Sequence, residues 1–473
     1  MTKTLVMKFG GTSVGSAAAI RQAIEVVREA RREWPRLAVV VSAMSGATDA
    51  LLNAAHAAAG GDESAPARAA MDLRARHLSA LRELSPGAKE AELIIAAYLD
   101  EFAALCHAIG VLGEASPRAL DALSSLGERM SAPLVAAALR HAGLAAQAVD
   151  AAEVVVTDAV YQSASPDMEA TQAKAETALA PLLDAGVTPV ITGFVGATKA
   201  GVVTTLGRGG SDFSAAIFGV ALNADEVWIW TDVDGVRTAD PRVAPGARTL
   251  PELTFREISE LAFYGARVLH PKTIRPVVER GMALWVKNTF NPAHPGTRIT
   301  PDNGAARRNA SQPSGGGDIK AVTAFKGQCI VTLEGRGMIG IPGIAARTFA
   351  AVARTGTSVA MISQASSEQS ICFVVPDQAA EAVRRALEDE FRLELARRDI
   401  DGITTTDECA VVTVVGAGMR HTPGIAGRVF SALGGAGVNV VAIAQGSSEC
   451  SISLVVDAKE ADEAVRAVHG LIV

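Results

Sequence analysis

The stretch QASSEQSICFVV, beginning at Gln364, returns 81 residues later as QGSSECSISLVV, beginning at Gln445, and the likeness runs back through GRGMIGIPGIAARTF and GAGMRHTPGIAGRVF. A duplication of this kind obliges the last third of the chain to form the same supersecondary unit twice. Each copy reads strand, helix, strand, strand, helix; in the first these are CIVTLEG, IPGIAARTFAAVARTG, SVAMISQAS, SICFVVP and AAEAVRRALEDEF. One further apolar strand would complete βαββαβ, the ferredoxin-like arrangement with two helices on one face of an antiparallel sheet. The final GLIV leaves the second copy little chain for that strand. Two copies are too few for a solenoid, so they are expected to pair with each other or with another subunit.

The first 300 residues follow a different rule. Apolar runs such as TLVMKF, RLAVVV and EVWIW alternate with Ala-rich helical stretches such as SAAAIRQAIEVVREARRE. Strands apolar on both faces, separated by helices, predict a mainly parallel sheet covered on both sides, an α/β domain. After them TPDNGAARRNASQPSGGGD has no hydrophobic period and reads as a linker. The expected division is 1–300, a linker at 301–318, and repeats at 319–400 and 401–473, which a chain of 473 residues can supply with separate cores.

A net charge of −7 gives no global positive field of the kind that nucleic acid or an anionic membrane surface requires. The five cysteines are scattered without a CxxC pair, as expected of reduced cytosolic thiols, and no Cys/His spacing announces a metal site. MTKTLVMKFGG enters a strand directly, without the basic and apolar regions of a signal peptide, and no uninterrupted apolar run of about 18 residues suggests a membrane span. The expectation is a soluble, cytoplasmic protein.

Two strand-to-helix junctions carry the chemistry. KFGGTSVGS (Lys8 to Ser16) offers glycines that let backbone N–H groups approach an anion, a helix N-terminus and a lysine charge, without the spacing of a Walker A loop. TLGRGGSDFSAA (Thr205 to Ala216) sets Arg208, Ser211 and Asp212 beside glycines. Arg grips a carboxylate through two parallel hydrogen bonds, and Asp receives an ammonium or holds Mg²⁺, which together suit an amino acid substrate. The bland readings are an ordinary Gly-rich turn and a helix capped by Ser211 or Asp212.

WTDVDGVRTADPR (Trp230 to Arg242) lies at the carboxyl end of an apolar strand, where ligands of open α/β sheets sit, yet its Asp content also fits a loop of Asx turns. SSLGERMSAP contributes Glu128, by itself best read as an exposed helical glutamate. VSAMSGATD contributes Ser42, Ser45 and Thr48, and ELAFYGARVLHPKT contributes Arg267, His270 and Lys272.

In this order the stretches KFGGTSV, LGERMSAPL, TLGRGGSD, WTDVDGV, DPR and GARVLHPKT resemble the aspartate kinases of the amino acid kinase superfamily, over nearly the whole chain. SVAMISQASSEQSI and VVAIAQGSSECSI are most similar to the kinase portion of bifunctional aspartate kinase–homoserine dehydrogenases. With the last residue at Val473, a monofunctional kinase is the expectation.

The resemblance implies an amino acid kinase fold followed by two ACT domains, and phosphorylation of L-aspartate by ATP with Mg²⁺ to give β-aspartyl phosphate, the first step toward lysine, threonine and methionine. Carried residue by residue, Lys8, Gly10, Gly11 and Ser13 would meet the transferring phosphoryl group, with Lys8 and Asp212 in catalytic roles. Thr48, Glu128, Arg208 and Ser211 would hold aspartate. Thr231, Asp232, Arg237, Arg242 and Arg267 match nucleotide-contacting positions, although Arg237 stands where an aromatic Tyr is commoner and Arg267 where Lys is usual. A carboxylate nucleophile, with a reference pKa of about 3.9, is already ionised, so no general base is needed.

ACT modules bind amino acids at their mutual interface, so the duplication is expected to be a product sensor in a homo-oligomer, a dimer or tetramer. In threonine-sensitive relatives a glutamine from each copy contacts the effector; here these are Gln364 and Gln445, with Asn439 and Ile443 nearby. Lysine-sensitive relatives carry an acidic residue at the position of Ala360, which offers no partner for an ammonium, so threonine is expected over lysine. The rivals are a kinase of glutamate or acetylglutamate, and an inactive amino acid sensor.

Overall fold

The computed structural model describes residues 3–265, 269, 271–301, 319–364, 369–420, 422–446 and 450–472. Arg267, His270 and nearly all of the expected linker lie outside these residues. Contacts divide the chain into two units: Met1–Val236, Thr249–Phe255 and Val268–Gly304 form one, and Arg237–Arg248, Arg256–Arg267 and Ala305–Val473 the other.

The strands of the first unit are β1 (Thr4–Phe9), β2 (Arg36–Val41), β3 (Ala146–Val149), β4 (Val156–Thr157), β5 (Thr188–Thr192), β6 (Val195–Thr198), β7 (Val203–Thr205), β8 (Glu226–Thr231), β9 (Glu252–Thr254), β10 (Ala283–Asn288) and β11 (Thr297–Thr300). Eight of them form one sheet in the order β3-β5-β2-β1-β8-β10-β11-β9, parallel except where β11 meets β10, while β4, β6 and β7 form a small second sheet. All six residues of β1 are buried, as expected of a central strand covered on both faces. Alternation sends Leu5, Met7 and Phe9 into a core built with helices Ala17–Arg31 and Pro117–His141, leaving Lys8 on the opposite face with helix Gly210–Ala221.

Helix Lys89–Leu112 is long and apolar enough to cross a membrane by length and composition. In the fold it packs against helices Ser64–Leu84 and Pro117–His141 and buries Ile95, Leu99, Phe102, Cys106 and Ile109.

The second unit holds β12 (Ala321–Glu334), β13 (Met361–Gln364), β14 (Ser370–Pro376), β15 (Gly402–Val415), β16 (Ala442–Ala444) and β17 (Ser451–Asp457) in one antiparallel sheet, β13-β14-β12-β15-β17-β16. The two longest strands, β12 and β15, run the length of both repeats and shift register near Gly327 and Glu408, each at positive φ. Residues 328–334 pair with β14 of the first repeat, whereas 321–326 pair with 410–415 of the second. Each repeat thus receives its fourth strand from the other's long strand, which is why the second needs none after its last helix. Helices Ile344–Arg354 and Asp377–Glu390 cover one face of the first repeat, and Ile425–Gly435 and Ala461–His469 one face of the second.

Segments Arg237–Arg248 and Arg256–Arg267 belong by contact to this second unit. In the first, Ala239 and Ala244 join the core of the second repeat, Thr238 Oγ1 lies 2.9 Å from His469 Nε2, and Arg248 donates to the carbonyl of Ile472 at 3.0 Å.

Candidate active site

The first unit encloses a cavity of about 470 Å³ at the ends of β1 and β7, lined among others by Lys8, Thr48, Asp121, Glu128, Phe194, Arg208, Ser211 and Asp212. Two helices open onto it with unencumbered N-termini. Helix Gly210–Ala221 has Gly209 as its N-cap, at φ 73°, and no side chain caps it; helix Ala47–Ala59 starts the same way after Gly46, at φ 74°. The reading of Ser211 or Asp212 as caps therefore fails. Both lie within the first turn and face the cavity, and the first-turn N–H groups of both helices keep the positive end of the dipole turned toward it.

The opposite charges of the cavity come from residues far apart in sequence. Lys8, 8% exposed, forms an ion pair with Asp212 at 2.6 Å. Arg208 is exposed at the rim and makes no ion pair among the described residues. Glu128 is 4% exposed rather than a surface glutamate, and its Oε2 has no hydrogen-bond partner among the described residues. Burial pushes its carboxyl up to about 8, opposed by the Ala43 and Glu128 backbone N–H groups and the nearby Lys8 charge.

Glycines hold these elements close. A Cβ on Gly127, one residue before Glu128, would lie 2.7 Å from Ala43 Cβ, and one on Gly210 would lie 2.5 Å from Phe194 Cδ2. Gly10 donates to the Trp230 carbonyl at 3.1 Å, and a Cβ there would stand 3.4 Å from Lys8 Nζ. Ser13 is fully buried, its Oγ 2.7 Å from Thr289 Oγ1, so its side chain ties the β1 loop to the end of β10.

Asp121 was not among the sequence candidates. It is 1% exposed, and its carboxylate accepts from Gln162 N, Thr205 N and Thr205 Oγ1 at 2.7–3.0 Å, fastening the junction that carries Arg208. In the text LDALSSLGER it looks like one more helical aspartate, and only its distance of 84 residues from Thr205, closed by the fold, reveals its work.

Of the expected nucleotide residues, Thr231 stands beside the β1 loop, following Trp230 and accepting at its own carbonyl from Thr289 N at 2.9 Å. Thr231 and Asp232 stand at the end of β8, with Thr231 Oγ1 3.1 Å from Asp232 Oδ1. Arg237 and Arg242 lie in the segment that belongs to the second unit, where Arg242 is held at 2.6 Å by Asp240, and Arg267 is outside the described residues. The Asx reading of this loop holds in part, since Asp240 Oδ1 accepts from Arg242 N at 2.9 Å and Asp234 Oδ1 accepts from the amides of Asn288 and Asn291.

In the second unit a pocket of about 320 Å³ is lined by Met419, Thr422, Pro423, Gly424, Ile425, Ala426, Gln445 and Ile452. Gln364 occupies the corresponding end of β13 and is exposed. Asn439 and Ile443 do not line the pocket; Asn439 N donates to Glu460, and Ile443 on β16 is 45% exposed.

The chain thus combines an α/β sheet carrying a charged cavity at its strand ends with a tandem of interlocked ferredoxin-like repeats. The sequence profile of the amino acid kinase family matches residues 3–288, and that of an ACT domain matches 331–391 and 412–471. The chain belongs to the amino acid kinase family, among its aspartokinases with ACT domains. It is 36% identical, over 98% of its length, to half of the bifunctional aspartokinase/homoserine dehydrogenase 2 of Arabidopsis thaliana, and so spans about half the length of such relatives. It is 34% identical to the aspartokinase of Schizosaccharomyces pombe, covering 98% of this chain and 92% of that protein. E. coli aspartokinase III in complex with aspartate and ADP superposes with a TM-score of 0.80 at 28% identity, covering 99% of this chain and all of that one; its complex with lysine and aspartate gives 0.76 at 29%, covering 99% of each.

Proposed function

We propose that the chain is an aspartate kinase, transferring the γ-phosphoryl group of Mg·ATP to the β-carboxylate of L-aspartate, in the cytoplasm, as the first step toward lysine, threonine and methionine. The observation that carries this is the buried Glu128, with one carboxyl oxygen unpartnered in a cavity that also holds Arg208 and the Lys8–Asp212 pair. An α-amino acid supplies what such a cavity lacks: an ammonium for Glu128 and an α-carboxylate for Arg208, with Thr48 and Ser211 as hydroxyl partners. N-acetylglutamate has no ammonium and would leave Glu128 without a partner, and glutamate places its reacting carboxylate one methylene too far.

The substrate carboxylate is ionised at neutral pH, so the protein's task is to hold two anions together rather than to move a proton. Lys8 neutralises charge on the transferring phosphoryl oxygens, Asp212 positions Lys8, and Gly10 and Gly11 let backbone approach the phosphates with Ser13 bracing the turn. Thr231, Asp232, Arg237, Arg242 and Arg267 take the nucleotide. Mg²⁺ arrives with the nucleotide: no group of three ligating side chains stands among the described residues, and Mg²⁺ is commonly held by phosphates plus one or two carboxylates. The five cysteines, four of them buried, form no disulfide among the described residues, which favours a reducing compartment.

The ACT repeats act as the product sensor, with threonine as effector. Among the described residues the second-unit pocket is lined by neutral side chains, which favours threonine over a lysine ammonium. Lysine, bound in the E. coli aspartokinase III complex, is the alternative. The outer strands β13 and β16 carry half-exposed Ile362 and Ile443, which favours a homo-oligomer formed through these edges. The test is ADP release from Mg·ATP with aspartate, glutamate or N-acetylglutamate, repeated with threonine, lysine or both. Turnover confined to aspartate is expected; turnover with glutamate or acetylglutamate in its place overturns the substrate assignment.

A further inference from the structure

We propose that Gln162 is a further substrate-binding residue, its carboxamide meeting the α-carboxylate of the amino acid beside Arg208, with Asp121 as the positioning residue that aims it. This rests on the aspartate reading above.

Gln162 is exposed at the rim of the first unit's cavity and lines it, and among the described residues its carboxamide has no hydrogen-bond partner. It lies between β4 and helix Met168–Ala178, in a loop that closes on itself at Asp158. Asp158 N donates to the Ser165 carbonyl at 3.0 Å, and Asp158 Oδ1 accepts from Val160 N and Ser165 N at 3.2 and 3.1 Å. Within this loop Gln162 has φ 66°, in the left-handed region where a residue with a Cβ is strained and glycine is not. Such positions cluster at active sites, where the surrounding structure holds them in place. Here the Gln162 N–H donates to both carboxylate oxygens of Asp121 at 3.0 Å, and Ala164 N donates to the Thr205 carbonyl at 2.9 Å.

The same carboxylate fixes the chain that carries Arg208. Asp121 also accepts from Thr205 N and Thr205 Oγ1, at 3.0 and 2.7 Å. The Gln162 carbonyl stands so near Gly207 that a Cβ there would lie 2.8 Å from it. Gly207 precedes Arg208, so the glutamine and the arginine are held side by side on segments pinned to one buried group. Asp121 sits seven residues before Glu128 on helix Pro117–His141, and both line the cavity with Ser124, along one helical face. One helix thus carries the carboxyl that would receive an ammonium and, two turns away, the bracket for the groups that would receive a carboxylate. The Gln162 amide donates to that carboxylate without adding charge, which leaves Arg208 as its counter-ion.

The test combines initial rates of ADP release with thermal unfolding, on the full chain, for wild type, Gln162→Gly, Gln162→Glu, Asp121→Asn and the double variant Asp121→Asn/Gln162→Gly. Gln162→Gly removes the carboxamide and the strain together. It should raise KM for aspartate about tenfold, the worth of one or two hydrogen bonds, with KM for ATP within about twofold and a melting temperature no lower than wild type. Gln162→Glu sets a negative charge against the α-carboxylate, so its KM for aspartate should be higher still. Because Asp121 acts through Gln162, adding Gln162→Gly to Asp121→Asn should raise KM by less than about threefold. A wild-type KM for aspartate in Gln162→Gly overturns the assignment, as does a rise matched in KM for ATP and accompanied by a lower melting temperature. Full additivity in the double variant overturns the positioning role of Asp121. A wild-type chain that uses glutamate or N-acetylglutamate in place of aspartate, or none of the three, overturns the aspartate reading, and the role of Gln162 with it.

Discussion

The two cavities of this chain are made from opposite materials. Among the described residues, that of the first unit sets a lysine–aspartate pair beside a buried carboxyl with one unpartnered oxygen, whereas that of the second is lined by neutral side chains and backbone. Charge buried in advance has already met its desolvation penalty, so it acts strongly on a ligand whose own charge is changing, as in phosphoryl transfer. A pocket lined by neutral groups offers modest, reversible contacts instead, which is what the sensing role proposed for it would use. Two glycines mark the contrast locally: Gly127, beside Glu128, is packed to the limit, while a Cβ on Gly427, on helix Ile425–Gly435, would meet no described atom within 4 Å.

This contrast can be broken most directly at Lys8. Lys8→Ala should lower turnover roughly 100- to 1,000-fold, the usual loss when one preorganised donor to a developing anion is removed; near-normal ADP release would dissolve the distinction between the cavities. Next comes Glu128→Gln, expected to raise KM for aspartate on the order of 100-fold by removing the partner of its ammonium, with a smaller effect on KM for ATP.

Glu128 also ties the contrast to pH. Its carboxyl is raised to about 8, so in the free protein it is neutral below that value and must ionise to receive an ammonium. KM for aspartate should therefore fall as pH rises toward 8, by up to roughly tenfold per unit, and flatten above it. The sign for folding is the reverse. The native state holds this proton more tightly than the unfolded chain, so the contribution to stability is complete below about 4.5 and is lost as pH rises through about 8. A pH-independent KM in Glu128→Gln, read from initial rates, checks the first part; thermal unfolding of both proteins across this range checks the second.

Smaller effects sharpen the comparison from the second unit. Gln445→Ala should weaken threonine binding about tenfold by calorimetry, the worth of one or two hydrogen bonds. Gly427→Ala should stabilise the chain by about 0.5–1 kcal/mol, because an exposed helical glycine gains from a Cβ that meets nothing. The same change at Gly127 should destabilise it by about 1–3 kcal/mol, since the overlap with Ala43 outweighs helix propensity. Urea unfolding of the two variants side by side would show opposite shifts.

The sequence by itself determined the elements: which runs are buried strands, where two Gly-rich junctions open onto helices, and that one module occurs twice. These are local properties, legible because a central parallel strand is apolar on both faces and an anion-binding turn needs glycine. Only the tertiary structure decided which elements share a neighbourhood. Lys8 meets Asp212 across two hundred residues, Asp121 fastens Thr205, each repeat completes its sheet with the other's long strand, and residues 237–248 and 256–267 join the ACT unit although their text reads as kinase. A buried charge and a surface charge are spelled with the same letter, and only the closed fold removes the water that makes Glu128 a partner in waiting rather than a solvated helix residue.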